Sequence, residues 1–182
     1  MNEKKVLKYS ALAFVAALIT YTLTRKAMDI IINENQKKHL ESLHQRVKPI
    51  FERFIKELKK RGFDVYITSS YRTFEKQAEL KKLNSKNASP GLSPHNYGMA
   101  IDINVRDGLT WLRKASSKED WEKSGIPEIA RSMGIRWGGD FRTYYDPIHF
   151  DVLVMPTKEL QKIAQKQFGT DVRKVQGNRI IV

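Results

Sequence analysis

From Gln36 to Lys60 the apolar residues Leu40, Leu43, Val47, Ile50, Phe51, Phe54, Ile55 and Leu58 recur every three or four positions and trace one helical face. Pro49 falls inside that run, so it either kinks one helix or opens a second, and Gly62 ends the run. His39 and His44, five apart and so on different faces of a helix, are expected at the surface. The spacing then changes to two. Phe63, Val65 and Ile67 alternate with polar residues and predict a strand ending near Arg72, after which Thr73 caps a helix over 74–83. Residues 84–97, rich in Asn, Ser, Pro and Gly, read as a loop, and Gly98 marks a close backbone approach or an unusual dihedral. Alternation resumes beyond it: Ile101, Ile103 and Val105 point one way, Ala100, Asp102 and Asn104 the other. Trp111, behind a turn at 106–108, is expected to cover the core. A helix over about 127–133 closes at Gly134, and Ile135 to Trp137 form a short strand. In a strand over 148–154, Ile148, Phe150, Val152 and Val154 share one face, leaving His149 and Asp151 on the opposite one. A final amphipathic helix over 157–168 is expected to be capped by Thr157, and the last residues, from Val172 on, read as either an edge strand or a tail. The sum is an α+β fold, a small antiparallel sheet packed with helices.

The N-terminus adds a different kind of segment. Between Lys8 and Arg25 runs an uncharged stretch of sixteen residues, about 24 Å of helix against a hydrocarbon core of ~30 Å. Val6 and Leu7, with Lys8 snorkelling, extend it to a marginal span, and Leu12, Phe14, Val15, Leu18 and Ile19 encircle the helix rather than striping it. With no small-x-small cleavage site after Leu23, residues 1–35 are read as an uncleaved N-terminal hydrophobic helix, a signal anchor and its connector. Residues 36–182 are then the functional domain.

Composition narrows the chemistry. There is no cysteine, so disulfides and thiolate metal sites are excluded and any metal must be held by nitrogen and oxygen. The net charge of +13 resides mostly in the body, where 28 basic residues face 17 acidic ones. Such a surface suits a polyanion, whether nucleic acid, anionic lipid or wall polymer. No basic motif interleaved with aromatics supports nucleic acid.

Two polar positions on otherwise apolar strands stand out. If the apolar faces of 100–105 and 148–154 share a core, Asp102 and His149 lie together on the open side, and His95 reaches them from the preceding loop. Two imidazoles and one carboxylate suit a Zn2+ ion that keeps a position for water, the catalytic rather than the structural stoichiometry. Asp146, three residues before His149, is the candidate base to take a proton from that water. Asp140 and Asp151 are either orienting partners of a ligating histidine or ordinary surface carboxylates.

The blocks Ser93-Pro-His95-Asn-Tyr-Gly98-Met-Ala100-Ile-Asp102, Trp137-Gly-Gly-Asp140 and Asp146-Pro-Ile-His149-Phe150 resemble the zinc peptidases of the VanY/LAS type, the M15 peptidases, over roughly residues 40–156. Within that group the likeness is to the L-alanyl-D-glutamate peptidases of phage endolysins and bacterial wall hydrolases. The resemblance implies a LAS/hedgehog-type sheet and a zinc peptidase cutting the L-Ala–D-Glu bond of peptidoglycan stem peptides. It implies that Arg72, in a Tyr-Arg-Thr block, faces the substrate carbonyl, and that Ser93 and Gln77 contact substrate. Asp at position 146 fits the L-Ala–D-Glu branch, whereas D-alanyl-D-alanine carboxypeptidases typically carry Glu there and often Trp before the histidine, where this chain has Ile148. That carboxypeptidase activity is the alternative, and a non-catalytic zinc-stabilised binding module is a third reading. Expected partners are the stem peptide, anionic cell-wall polymers and, through the anchor, a membrane. The domain is expected outside the membrane, in periplasm or wall, or secreted if the segment is cleaved.

Overall fold

In the computed structural model, which describes residues 17–24 and 33–182, Pro49 opens a helix rather than kinking one. Residues 33–41 are helical, 42–47 are turns and loop, and α1 (Lys48–Lys60) carries the proline in its first turn, where its missing N–H leaves no helical bond unmade. Phe51, Phe54, Ile55 and Leu58 are its buried side. Most of the expected anchor lies outside the described residues; its described parts, 17–24 and 33–35, are helical. Among the described residues no helix is long and apolar enough to cross a membrane.

Residues 38–182 form one compact unit built on an antiparallel sheet. The strands β1 (Asp64–Ser69), β2 (Ala100–Asp107), β3 (Thr110–Leu112), β4 (Arg136–Trp137) and β5 (His149–Asp151) follow the order β1-β2-β5-β4. β3 and β5 share one edge of β2: β5 pairs with residues 100–102 and β3 with 105–107. The period-two reading therefore maps directly onto the sheet. Val65, Ile67, Ile101, Ile103, Val105, Leu112, Trp137 and Phe150 are buried in one core, where Phe54 meets Phe150 with ring centroids 5.3 Å apart.

Around the sheet lie α2 (Phe74–Leu83), α3 (Lys118–Lys123), α4 (Ile126–Ser132) and α5 (Thr157–Phe168). Thr73 caps α2 by accepting from the Lys76 N–H at 3.1 Å. α3, absent from the periodicity reading, is only six residues long but carries a full Ser117/Asp120 capping box and buries Trp121.

Four expectations need correction. The strand over 148–154 is only three residues long, bounded by Pro147 and by the bend leading into Pro156. Trp111 pairs with Arg106 on the outer face of the sheet, so Leu112, opposite Val105, is the residue that enters the core. Thr157 is the first helical residue of α5 and Pro156 its N-cap. His44, expected at the surface, is buried: the Arg46 N–H donates to its Nδ1 at 3.2 Å, leaving Nε2 to donate to the Ile180 carbonyl at 3.0 Å. That bond helps to seat the C-terminal segment, whose Val175 and Ile180 are buried and which is neither an edge strand nor a free tail.

Candidate metal centre and its cleft

Register places the first two site residues. Asp102 lies opposite His149 on paired strands, and both point away from Ile101 and Phe150. His95 arrives on a 3-10 turn, Pro94–Tyr97, that ends at Gly98 with φ 62°. A side chain at Gly98 would be strained by that dihedral and would bring its Cβ to 2.7 Å from the His44 backbone nitrogen. The turn is laced to the end of β1: the Arg72 N–H donates to the His95 carbonyl at 2.9 Å, and Asn96 Nδ2 donates to the Arg72 carbonyl at 2.9 Å.

His95 Nε2, His149 Nδ1 and Asp102 Oδ1 converge. The two nitrogens are 3.2 Å apart and each is 3.1 Å from the carboxylate oxygen. What lies behind each imidazole decides its chemistry. His95 Nδ1 is 2.7 Å from the Ser70 carbonyl, and His149 Nε2 is 3.0 Å from Asp151 Oδ2. Both partners can only accept, so each ring carries its proton on the outer nitrogen and turns a lone pair inward. Three acceptors facing one another at such distances repel unless a positive charge lies among them. Their spacing is close to the ~3.3 Å that separates neighbouring ligands bonded at about 2.0 Å in a tetrahedral site. The donor set thus fits a metal ion.

The electrostatics say the same. Burial alone would raise Asp102, but His95 and His149 hold its carboxyl far below the usual carboxylate range. Burial alone would lower His149, but Asp102 and Asp151 push the ring up to about 9 in the metal-free chain. The site favours a cation and takes up a proton in its place.

The remaining predicted residues line the same cleft, about 1540 Å³ in volume. Arg72 donates through Nη1 to Gln77 Oε1 at 3.0 Å and through Nη2 to Ser69 Oγ at 3.1 Å, and stands 3.9 Å from Asp102 Oδ2. Gln77 is buried behind it, its amide nitrogen bonded to the Ala88 carbonyl at 2.7 Å, so both ends of that side chain hold protein rather than reach outward. Ser93 is buried at the N-terminus of the 3-10 turn and its side chain does not cap it.

Asp146 Oδ1 is buried and has no hydrogen-bond partner among the described residues; the Lys114 ammonium lies 3.9 Å away, too far for a hydrogen bond. Burial first, and the Asp102 charge second, raise its carboxyl above the ordinary carboxylate value. Its position is fixed from below. The Asp146 N–H donates to the Gly138 carbonyl at 3.2 Å, and Trp137 Nε1 donates to the Pro147 carbonyl at 2.7 Å. A Cβ on Gly138 would overlap the Asp146 carbonyl and crowd His149.

The two acids left open by the sequence separate. Asp151 is wholly buried, held between His149 Nε2 and Arg136 Nε, the latter at 2.6 Å. Asp140 is exposed and paired with Arg131 at 2.9 Å. Arg136 was missed by sequence reasoning. The signal that could have found it was its place on a strand cross-paired with Asp151.

Residues 86–152 match the peptidase M15 family model described as D-alanyl-D-alanine carboxypeptidase. It is 35% identical over 107 residues to the peptidoglycan L-alanyl-D-glutamate endopeptidase CwlK of Bacillus subtilis (strain 168), a match covering 51% of this chain and 63% of that protein. Among solved structures it is similar to the Serratia marcescens L-Ala D-Glu endopeptidase ChiX, with a TM-score of 0.48 and 16% identity over 74% of this chain and 90% of that one. The vancomycin resistance D,D-pentapeptidase VanY, solved with Zn(II), gives 0.45 and 22% over 66% and 78%.

Proposed function

We propose that this chain is a zinc-dependent peptidoglycan peptidase that hydrolyses the L-Ala–D-Glu bond of wall stem peptides. The observation that carries the reading is the inward convergence of three lone pairs, on His95, Asp102 and His149, beside a buried carboxylate oxygen of Asp146 that has no hydrogen-bond partner. A zinc ion held by those three residues supplies a Lewis acid and lowers the pKa of water to about 7. Asp146 takes the proton of the attacking water and hands it to the leaving amine, and its raised pKa brings it nearer the working pH of a proton shuttle. Arg72, held by Gln77 and Ser69, keeps donors free for the oxyanion that develops on the scissile carbonyl. Gln77 is thereby a positioning residue, and Ser93 a substrate contact on the cleft floor. Such a substrate lies outside the membrane, and the domain is taken to work there.

The choice of bond rests on the likeness to CwlK and on Asp146 with Ile148. The carboxypeptidase alternative rests on the description of the matching family model. Digestion of a defined stem peptide, followed by mass spectrometry, separates them. The expected product is a fragment with a new D-Glu amino terminus, lost with chelator and in Asp146→Asn. Release of free D-alanine instead would make the chain a carboxypeptidase, and no cleavage by the zinc-loaded chain would overturn both.

A further inference from the structure

The charges of the cleft do not cancel. Each of its three acids has a basic group near it: Asp102 the two imidazoles, Asp151 His149 and Arg136, and Asp146 the Lys114 ammonium at 3.9 Å. On the basic side, Arg72 is held by Gln77 and Ser69. Two cations are left over. Lys86 on the loop after α2 and Arg142 on the segment leading to Asp146 both line the cleft and are exposed, and their side chains have no hydrogen bond or ion pair among the described residues. Arg142 thus puts an unpaired guanidinium on the lining of the same cleft, four residues before the proposed base. Its planar fork matches a carboxylate.

We infer that Arg142, with Lys86, reads a free carboxylate on the substrate, so that the cleft selects an acidic peptide over its neutral amide. This rests on the peptidase reading above and names the feature of the substrate that the cleft selects. A D-glutamyl residue linked through its side chain offers such a group, because its α-carboxylate takes no part in either peptide link. An anionic wall polymer would also be attracted by the rim. The peptide is favoured because Arg142 belongs to the segment that delivers Asp146 to the site.

The test uses two synthetic stem peptides that differ only in this group, carboxylate or carboxamide. The zinc-loaded chain is expected to show a kcat/KM about three- to tenfold higher for the carboxylate, the range for a charge-assisted bond made by an exposed side chain. In the Arg142→Gln/Lys86→Gln variant the ratio is expected to fall to within about twofold, the scatter of near-neutral surface changes. A wild-type ratio near one, or a preference that survives in the variant, overturns the inference. Calorimetric binding of both peptides to zinc-loaded Asp146→Asn keeps the two readings apart. If neither peptide is cut but the carboxylate form binds more tightly, the peptidase reading fails and the rim reading stands; equal binding sinks the rim reading alone.

Discussion

Replacing Asp151 with asparagine exchanges one oxygen for an NH₂ group and removes a charge from a wholly buried position. Both carboxylate oxygens accept at present, one from His149 Nε2 at 3.0 Å and one from Arg136 Nε at 2.6 Å. The amide has a single acceptor to offer. If its nitrogen turned towards His149, the ring would have to accept at Nε2 and carry its proton on Nδ1, the atom 3.1 Å from Asp102 Oδ1, and an inward lone pair would be lost. If its nitrogen turned towards Arg136, two donors would oppose each other. The arginine, its side chain 54% exposed, can swing into solvent at little cost. The second arrangement is the cheaper one. It keeps the histidine tautomer but removes the negative charge that makes the imidazole a strong ligand, which elsewhere weakens metal binding about 10- to 100-fold, or ~1.4–2.7 kcal/mol. Competition against a chromophoric chelator at neutral pH should therefore show the zinc Kd of Asp151→Asn raised by that factor. Activity should largely return at saturating zinc, and Arg136→Gln, which leaves the Asp151 charge in place, should weaken binding far less. A folded Asp151→Asn that binds zinc within about twofold of the wild type, inside the scatter of near-neutral changes, would refute the argument that this carboxylate sets the ligand.

Three further outcomes are expected. In chelator, His149 has a folded pKa of about 9 against an ordinary 6.5, so its stabilising contribution, on the order of 3 kcal/mol, is complete below pH 6.5 and lost as pH rises through 9. Tm should fall across that window in chelator and rise in excess zinc, because the ion competes with the proton; a flat chelator profile would contradict the environment described for the ring. Asp146→Asn should lower kcat by about 10²- to 10⁴-fold with zinc affinity nearly unchanged, and the acid limb of the wild-type pH–rate profile should lie above the ordinary carboxylate range; calorimetry beside steady-state kinetics checks both. Gly138→Ala should cost about 1–3 kcal/mol in urea unfolding and slow turnover as well, since the added methyl displaces the Asp146 carbonyl; a variant of wild-type stability and rate would show that the contact relaxes freely.

How far the sequence could be read depended on whether a residue's role follows from its own strand. Period two fixes which face a side chain takes, and that was enough to put Asp102 beside His149, because their strands bury Ile101 and Phe150 on one side and have no other way to face. Helix α2 was legible to its ends because its cap, Thr73, and its loop, rich in Asn and Pro, are written locally. Trp111 failed because alternation gives two faces without saying which is inner; only the pairing of β3 with β2 decides it. His44 failed because its burial depends on Ile180, 136 residues away, and no local pattern encodes a contact of that span.

The same limit explains the site. The inward-facing atoms of the proposed metal centre could be expected from face and spacing, but the groups that make them ligands could not. His95 is set by a carbonyl of Ser70, His149 by Asp151, and Asp151 by Arg136, so the proton positions belong to a chain of partners drawn from the residue after β1 and from β4 and β5. Asp146 is placed by its bond to Gly138 and by that of the next residue, Pro147, to Trp137, which read in the sequence only as a turn and a buried ring. A cation site therefore needs two layers of agreement: ligand atoms brought close by strand register, and acceptors behind the imidazoles that turn their lone pairs inward. Substitutions in the outer layer should shift metal affinity and leave the cleft's shape intact, whereas those that break register, above all at Gly98 and Gly138, should remove both together.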